Sequence, residues 1–241
     1  MPLTKLDRFR FAYPVQEEIS LARLRQEKIG LASLVGQAES IRDYGGVWGV
    51  NGLYLLECAR NLRCSYAEMI DQTLTSEFWE HAKELQRTTA VDIQARELDF
   101  RVPGIYSSLK EVEVSLLYEV LLHQDNAVEV IKNVLSRTTR SVFVAQPTLK
   151  EDLFTLPGST TCIQFWPEEL KDLLRFPVWW PKQDAPDHFD TRYWMWGQTC
   201  SFLRSVFFGY GWELDHLSAF HLSPYWNYAL MRFVPREAAG R

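Results

Sequence analysis

Asp43, Gly45, Gly46 and Gly49 fall within one run, Asp43-Tyr-Gly-Gly-Val-Trp-Gly49, and Asp71 closes the next extended stretch. Glycines at that spacing make a tight turn with bare backbone, and a helix starting just beyond it offers unpaired N–H groups to a ligand. An acid at the end of the neighbouring strand can accept two hydrogen bonds from ribose hydroxyls. The plainer alternatives are a glycine turn that packs strand on helix and an aspartate that caps a helix, a role Thr73, Thr75 and Ser76 also suit. Together the two spacings point to a nucleoside-containing ligand. A third run, Tyr118-Glu-Val-Leu-Leu-His-Gln124, sets Glu119 and His123 just past a strand. An imidazole with an ordinary pKa of about 6.5 is suited to taking a proton. The alternative for His123 is a residue that opens the next helix and bonds nearby backbone.

Other chemistry-bearing residues are less well placed. His188 and His221 sit in loop-like or strand-end sequence, His81 on a charged helix and His216 inside a strand pattern. Asp184, Asp187, His188 and Asp190 form the one dense ligand-type cluster, and such a run reads as a solvated loop, so no metal is expected. Cys58, Cys64, Cys162 and Cys200 make no CxxC pair, which argues for reduced thiols rather than a zinc site or a disulfide framework. Five of the nine tryptophans lie between Trp166 and Trp196. Most are expected to pack, leaving Trp194 and Trp196 for a flat or apolar substrate, with His188 nearby.

The elements that must position these groups follow from periodicity. Residues 14–36 show helical spacing, with Pro14 near the first turn and Glu17 and Glu18 favourable to the helix dipole. Strands are expected at 40–43, 64–70, 90–95, 112–118 and 141–146, and helices at 51–62, after Thr75 or Ser76, after Asp125 or Asn126, at about 167–175 and at about 197–208. Val112 to Tyr118 is apolar almost throughout, as a strand buried on both faces must be. Strand and helix alternating over 40–147 call for βαβ units and a parallel sheet. Residues 212–220 and 227–234 then read as an antiparallel pair. Tyr225 and Trp226, in the turn between them, suit a contact between copies, so a homodimer stands among the expectations.

The chain has 241 residues, 46% hydrophobic and 24% charged, with a net charge of −5. That composition excludes a disordered chain and disfavours a dedicated nucleic-acid binder. No apolar run approaches a membrane span, and the N-terminus shows no secretory h-region, so a cytoplasmic protein is expected.

These residues carry a resemblance. Asp43-Tyr-Gly-Gly-Val-Trp-Gly49, Ile70-Asp71 and Tyr118 to Gln124 look like the cofactor loop, ribose-binding acid and post-fourth-strand motif of class I S-adenosylmethionine-dependent methyltransferases. The GGVWG and LLHQ wording, with Trp194-Met-Trp-Gly197, resembles a bacterial subgroup of methyltransferase-like proteins. The resemblance spans about 35–236. It implies an α/β, Rossmann-like, seven-stranded, mostly parallel sheet with a C-terminal antiparallel hairpin and helices on both faces. It also implies an N-terminal helical segment over 1–36 and a methyltransferase-like domain over 37–241 with a Trp-rich insertion at about 149–196. Asp43, Gly45, Gly46 and Gly49 would surround the methionine part of S-adenosyl-L-methionine, and Asp71 with Gln72 would hold the ribose. Arg96 or Glu97 falls at the adenine-contacting position, while Tyr118, Glu119 and His123 would line the site near the sulfonium. The acceptor expected is a small molecule. One departure stands out: the family alternates glycines, and here Val47 takes the middle place with Gly46 beside it. Either the loop runs differently or cofactor binding is weakened, which leaves a repurposed, non-catalytic binding or scaffolding protein as the rival. A nicotinamide-dependent oxidoreductase is a third reading, disfavoured by the lack of a clean GxGxxG.

Overall fold

A computed structural model describes residues 11–153, 159–162 and 196–236. In chain order the elements are β1 (Val15–Gln16), α1 (Leu21–Ala32), β2 (Ser40–Tyr44), α2 (Leu53–Leu62), β3 (Tyr66–Asp71), α3 (Ser76–Thr88), β4 (Asp92–Glu97), β5 (Val112–Tyr118), α4 (Ala127–Leu135), β6 (Thr138–Leu149), β7 (Thr160–Cys162), β8 (Trp196–Gln198), α5 (Cys200–Gly209), β9 (Trp212–His221) and β10 (Trp226–Pro235). The main sheet has the order β1-β9-β10-β6-β5-β2-β3-β4, and β7 pairs with β8 in a separate antiparallel ribbon. β2 pairs in parallel with both β3 and β5, so the connections leave it in opposite directions. That reversal creates a crevice beyond the strand ends, where open α/β sheets bind ligands. β10 is antiparallel to both β6 and β9.

Strand alternation sorts the core into two layers. Val114, Leu116 and Tyr118 face the layer shared with Leu24, Leu55, Leu62 and Phe78 of α1 to α3. Leu117 faces the other, with Ile131, Val134, Leu203 and Phe207 of α4 and α5. Both faces are thus covered, which is why β5 reads as a nearly unbroken apolar run.

The capping residues set where the helices start. Thr75 accepts from the Phe78 N–H at 3.1 Å to open α3, and Asn126 accepts from Glu129 at 3.2 Å to open α4. The first helix begins later than its apolar spacing predicts. Ser20 supplies the cap, accepting from Arg23 at 3.3 Å, and Glu17 and Glu18 precede it. Val15 and Gln16 instead pair with Ala219 and Phe220 of β9, adding a two-residue eighth strand to the seven expected. α5 likewise opens at Cys200 behind the Thr199 cap, because Trp196–Gln198 is extended. Trp226 is fully buried, since its side chain packs in the layer of α1 to α3; it cannot serve the contact between copies expected of it. The helix expected at 167–175 lies outside the described residues. Cys58, Cys64 and Cys200 are free and buried.

Candidate active site

The glycine loop leaves β2 at the reversal point. Gly45 turns with a φ of +76° and donates its N–H to the Ile70 carbonyl at 2.8 Å, a conformation that strains residues bearing a Cβ. A Cβ there would also press on Val120 Cγ2 at 3.1 Å. At Gly46 a Cβ would overlap the Asp43 carboxyl group outright. Gly46→Ala is therefore expected to destabilise the protein by about 1–3 kcal/mol in denaturant unfolding, the usual penalty for overpacking. Val47 explains the departure from alternating glycines. Its side chain is buried in the layer of α1 to α3, and its N–H donates to Asp71 Oδ2 at 2.9 Å. The loop is thus anchored by a side chain and tied to the neighbouring strand, then runs through Gly49, at positive φ, into α2.

The two acids differ in surroundings. Asp43 is fully buried and neither carboxyl oxygen has a hydrogen-bond partner. Burial, with the nearby Asp71 charge adding to it and the Tyr44 N–H and then Lys28 opposing, pushes its pKa up to about 8. Asp71 is half-buried, and burial raises its pKa while the N–H groups of Val47, Thr73 and Gln72 pull it back. Gln72 and Glu97 are exposed, and Glu97 Oε1 accepts from the Leu74 N–H at 3.1 Å. Arg96 points elsewhere, pairing with Glu68 Oε1 at 2.8 Å on the face of α4 and α5.

Across the crevice, β5 ends in Tyr118, whose hydroxyl donates to the Lys28 carbonyl at 2.9 Å. Glu119 follows in the left-handed region, φ +58°, with its N–H on the Ala145 carbonyl at 2.7 Å. Its Oε1 accepts from Lys28 Nζ at 2.7 Å and from the Tyr228 hydroxyl at 2.6 Å. The Lys28 ammonium lies 4.9 Å from the Tyr54 ring centroid and 5.1 Å from that of Tyr228. Burial alone would raise the Glu119 pKa, but the Lys28 charge, the two hydrogen bonds and His123 outweigh it and hold it below the ordinary glutamate range.

His123 is half-buried in a 3-10 turn, Leu121–His123, close enough to act on Glu119 electrostatically. The strand that carries Trp196 reaches the same end of the sheet, because its Gln198 donates to the Leu121 carbonyl at 3.1 Å. The structure thus gathers Asp43, Gly45, Gly46, Asp71, Tyr118 and Glu119 around the reversal point, and leaves Arg96 on the far face. Trp194, His188 and the Asp184–Asp190 cluster lie outside the described residues. Among the described residues no group of three metal-ligating side chains occurs, and no helix is long and apolar enough to cross a membrane.

Lys28, Tyr54 and Tyr228 escaped the sequence analysis. Lys28 could have been found: it interrupts the buried stripe Leu24, Lys28, Leu31 of α1, and a lysine there needs a partner.

The strand order of the main sheet, its reversed strand β10 and a glycine loop at the reversal point make a Rossmann-like fold of the kind seen in methyltransferases. Comparison with solved structures agrees. Magnesium protoporphyrin IX methyltransferase from Synechocystis PCC 6803, solved with S-adenosylhomocysteine, matches with a TM-score of 0.59 at 14% identity, covering 97% of this chain and 95% of that one. The 1,6-didemethyltoxoflavin-N1-methyltransferase from Burkholderia thailandensis, solved with its substrate and S-adenosylhomocysteine, matches at 0.58 and 11% identity, covering 89% and 78%. An O-methyltransferase family protein from Burkholderia thailandensis matches at 0.56 and 15% identity, covering 90% of this chain but only 57% of its own length. No family model matches the chain, and no curated protein matches its sequence. At these identities the likeness is one of fold.

Proposed function

We propose that this protein is an S-adenosylmethionine-dependent methyltransferase acting on a small-molecule acceptor in the cytoplasm. The observation that carries the proposal is the buried Asp43 carboxyl group, both oxygens without partners, pressed against a glycine that leaves no room for a side chain. A buried polar group without partners is costly unless a ligand completes it. The donor set fits the cofactor. Asp43, Gly45, Gly46 and Gly49 would receive its methionine part, and Asp71 with Gln72 its ribose. Asp71 already accepts from Val47 and Thr73, yet each carboxyl oxygen keeps a second lone pair. Glu97 is favoured over Arg96 for the adenine, since Arg96 is engaged with Glu68.

When bound, the cofactor supplies a sulfonium-borne electrophilic methyl group. The chain's part is to orient the acceptor and, where the acceptor is protonated, to hold the proton it loses. Glu119 and His123 are the groups proposed for that proton, with Trp196, Trp194 and His188 on the acceptor side. The Trp-rich insertion at about 149–196 would then select the acceptor. The net charge of −5 supports a small molecule over a nucleic acid.

Calorimetric titration with S-adenosylmethionine and S-adenosylhomocysteine tests the proposal, with NAD as control. Micromolar binding is expected, weakened by about tenfold or more in Asp71→Ala. Absence of binding to both sulfur nucleosides would leave a repurposed fold, and binding of NAD alone would favour the oxidoreductase.

A further inference from the structure

Lys28 is buried to 4% of its side-chain surface, whereas Glu119, its partner, keeps 34%. The pair thus encloses the ammonium and leaves part of the glutamate side chain accessible. Lys28 and Tyr228 both donate to the same oxygen, Oε1, and none of these bonds reaches Oε2. The backbone of Glu119 is left-handed, a conformation that a residue with a Cβ keeps only where its surroundings impose it, and such strain collects at functional sites. One carboxylate oxygen is therefore pinned by two donors from distant elements, which among the described residues leaves the other to a group entering the crevice.

We propose that Lys28 and Tyr228 are positioning residues that fix Glu119 so that its second oxygen receives a hydrogen bond from the methyl acceptor, whose reacting end is a hydroxyl or an amine rather than a carboxylate or phosphate; an amine that arrives protonated releases its proton to water before its lone pair attacks the methyl group. This rests on the methyltransferase reading of the site. The groups facing Glu119 are Lys28 of α1, Tyr54 of α2, Tyr228 of β10 and His123 of its own segment, and Asp43 of β2 acts on Lys28 from the other side. An anionic acceptor would meet Glu119 where the nearest ammonium is already paired, so like charge rejects it. A donor head instead gains a charge-assisted hydrogen bond.

The test uses the full chain saturated with S-adenosylhomocysteine and three probes that share one ring: benzylamine, benzyl alcohol and benzoate, followed by ligand-observed NMR. The amine and the alcohol are expected to bind, and benzoate at least about tenfold more weakly. Glu119→Gln weakens benzylamine by about tenfold. Tyr228→Phe keeps the ring, weakens benzylamine and moves the acid limb of its binding to higher pH, because Glu119 loses a donor that favours its ionised form. Lys28→Met does the same more strongly; if it does not fold, Tyr228→Phe carries the test. Benzoate binding as tightly as benzylamine, no binding of any probe, or benzylamine indifferent to Glu119→Gln and Tyr228→Phe each overturns the proposal. A chain that binds neither S-adenosylmethionine nor S-adenosylhomocysteine overturns the methyltransferase reading and the acceptor assignment with it. Normal cofactor binding with failed probes overturns the acceptor assignment alone.

Discussion

Replacing Glu68 by glutamine is expected to lower stability by about 3–5 kcal/mol, a loss on the order of 10 °C in Tm. Glu68 and Arg42 are both fully buried, side by side on β3 and β2. Arg42 Nε donates to Glu68 Oε2 at 2.7 Å and its Nη2 approaches the same oxygen at 2.6 Å, while Arg96 pairs with Oε1 at 2.8 Å. The remaining Arg42 bonds go to neutral groups, the Lys110 carbonyl at 2.7 Å and the Tyr44 hydroxyl at 3.4 Å. Neutralising Glu68 strands a guanidinium charge inside the sheet with no counter-ion, which is the expensive way to break such a pair. Removing both partners is different. Arg42→Met combined with Glu68→Leu deletes both desolvation costs, and Arg96, already 37% exposed, can turn to water. That double variant is expected within about 1.5 kcal/mol of the native protein. Urea unfolding of the two variants decides the matter, and a double variant as unstable as Glu68→Gln would show that the pair itself supplies net stability.

The second large effect is expected at Asp43. Its carboxyl group has a pKa of about 8 in the folded protein against 3.8 for the ordinary side chain. Between those values the folded chain keeps a proton that the unfolded chain has released. The folded state therefore binds more protons, and this group's contribution to stability falls as pH rises from about 4 to about 8. Asparagine has the same shape and no charge to bury. Asp43→Asn is thus expected to exceed the native protein in stability at pH 8 by on the order of a few kcal/mol, with the gap closing toward pH 4. On the proposed function the same variant binds S-adenosylmethionine about tenfold or more weakly, since the carboxylate that would face its ammonium group is gone. A gain in stability joined to a loss in binding is the signature of a group retained for a ligand rather than for the fold. Thermal unfolding of both proteins across that pH window gives the answer, and parallel profiles would mean that Asp43 titrates normally.

Local pattern carried much of this protein. The apolar run Val112–Tyr118, the Thr75 cap, the glycine loop after β2 and the late strand pair are all visible in the chain, because each depends on neighbours a few residues away. The same reasoning brought Asp43, Asp71 and Glu119 into view, since in a parallel sheet the ends of the strands are where chemistry can sit. It failed where the deciding partner is remote. The apolar spacing of 14–36 is compatible with a longer helix, and only pairing of Val15 and Gln16 with a strand 200 residues away pulls them out of it. Trp226 looks like an exposed turn residue until the layer of α1 to α3 covers it. The Glu119 hydrogen bonds close across sequence separations of 91 and 109 residues, from α1 and β10. Side-chain type and spacing determine which segments fold as strand or helix and which ends carry acids. Tertiary packing alone decides which lysine meets which acid, because that contact is set by how two distant elements lie on the same face of the sheet.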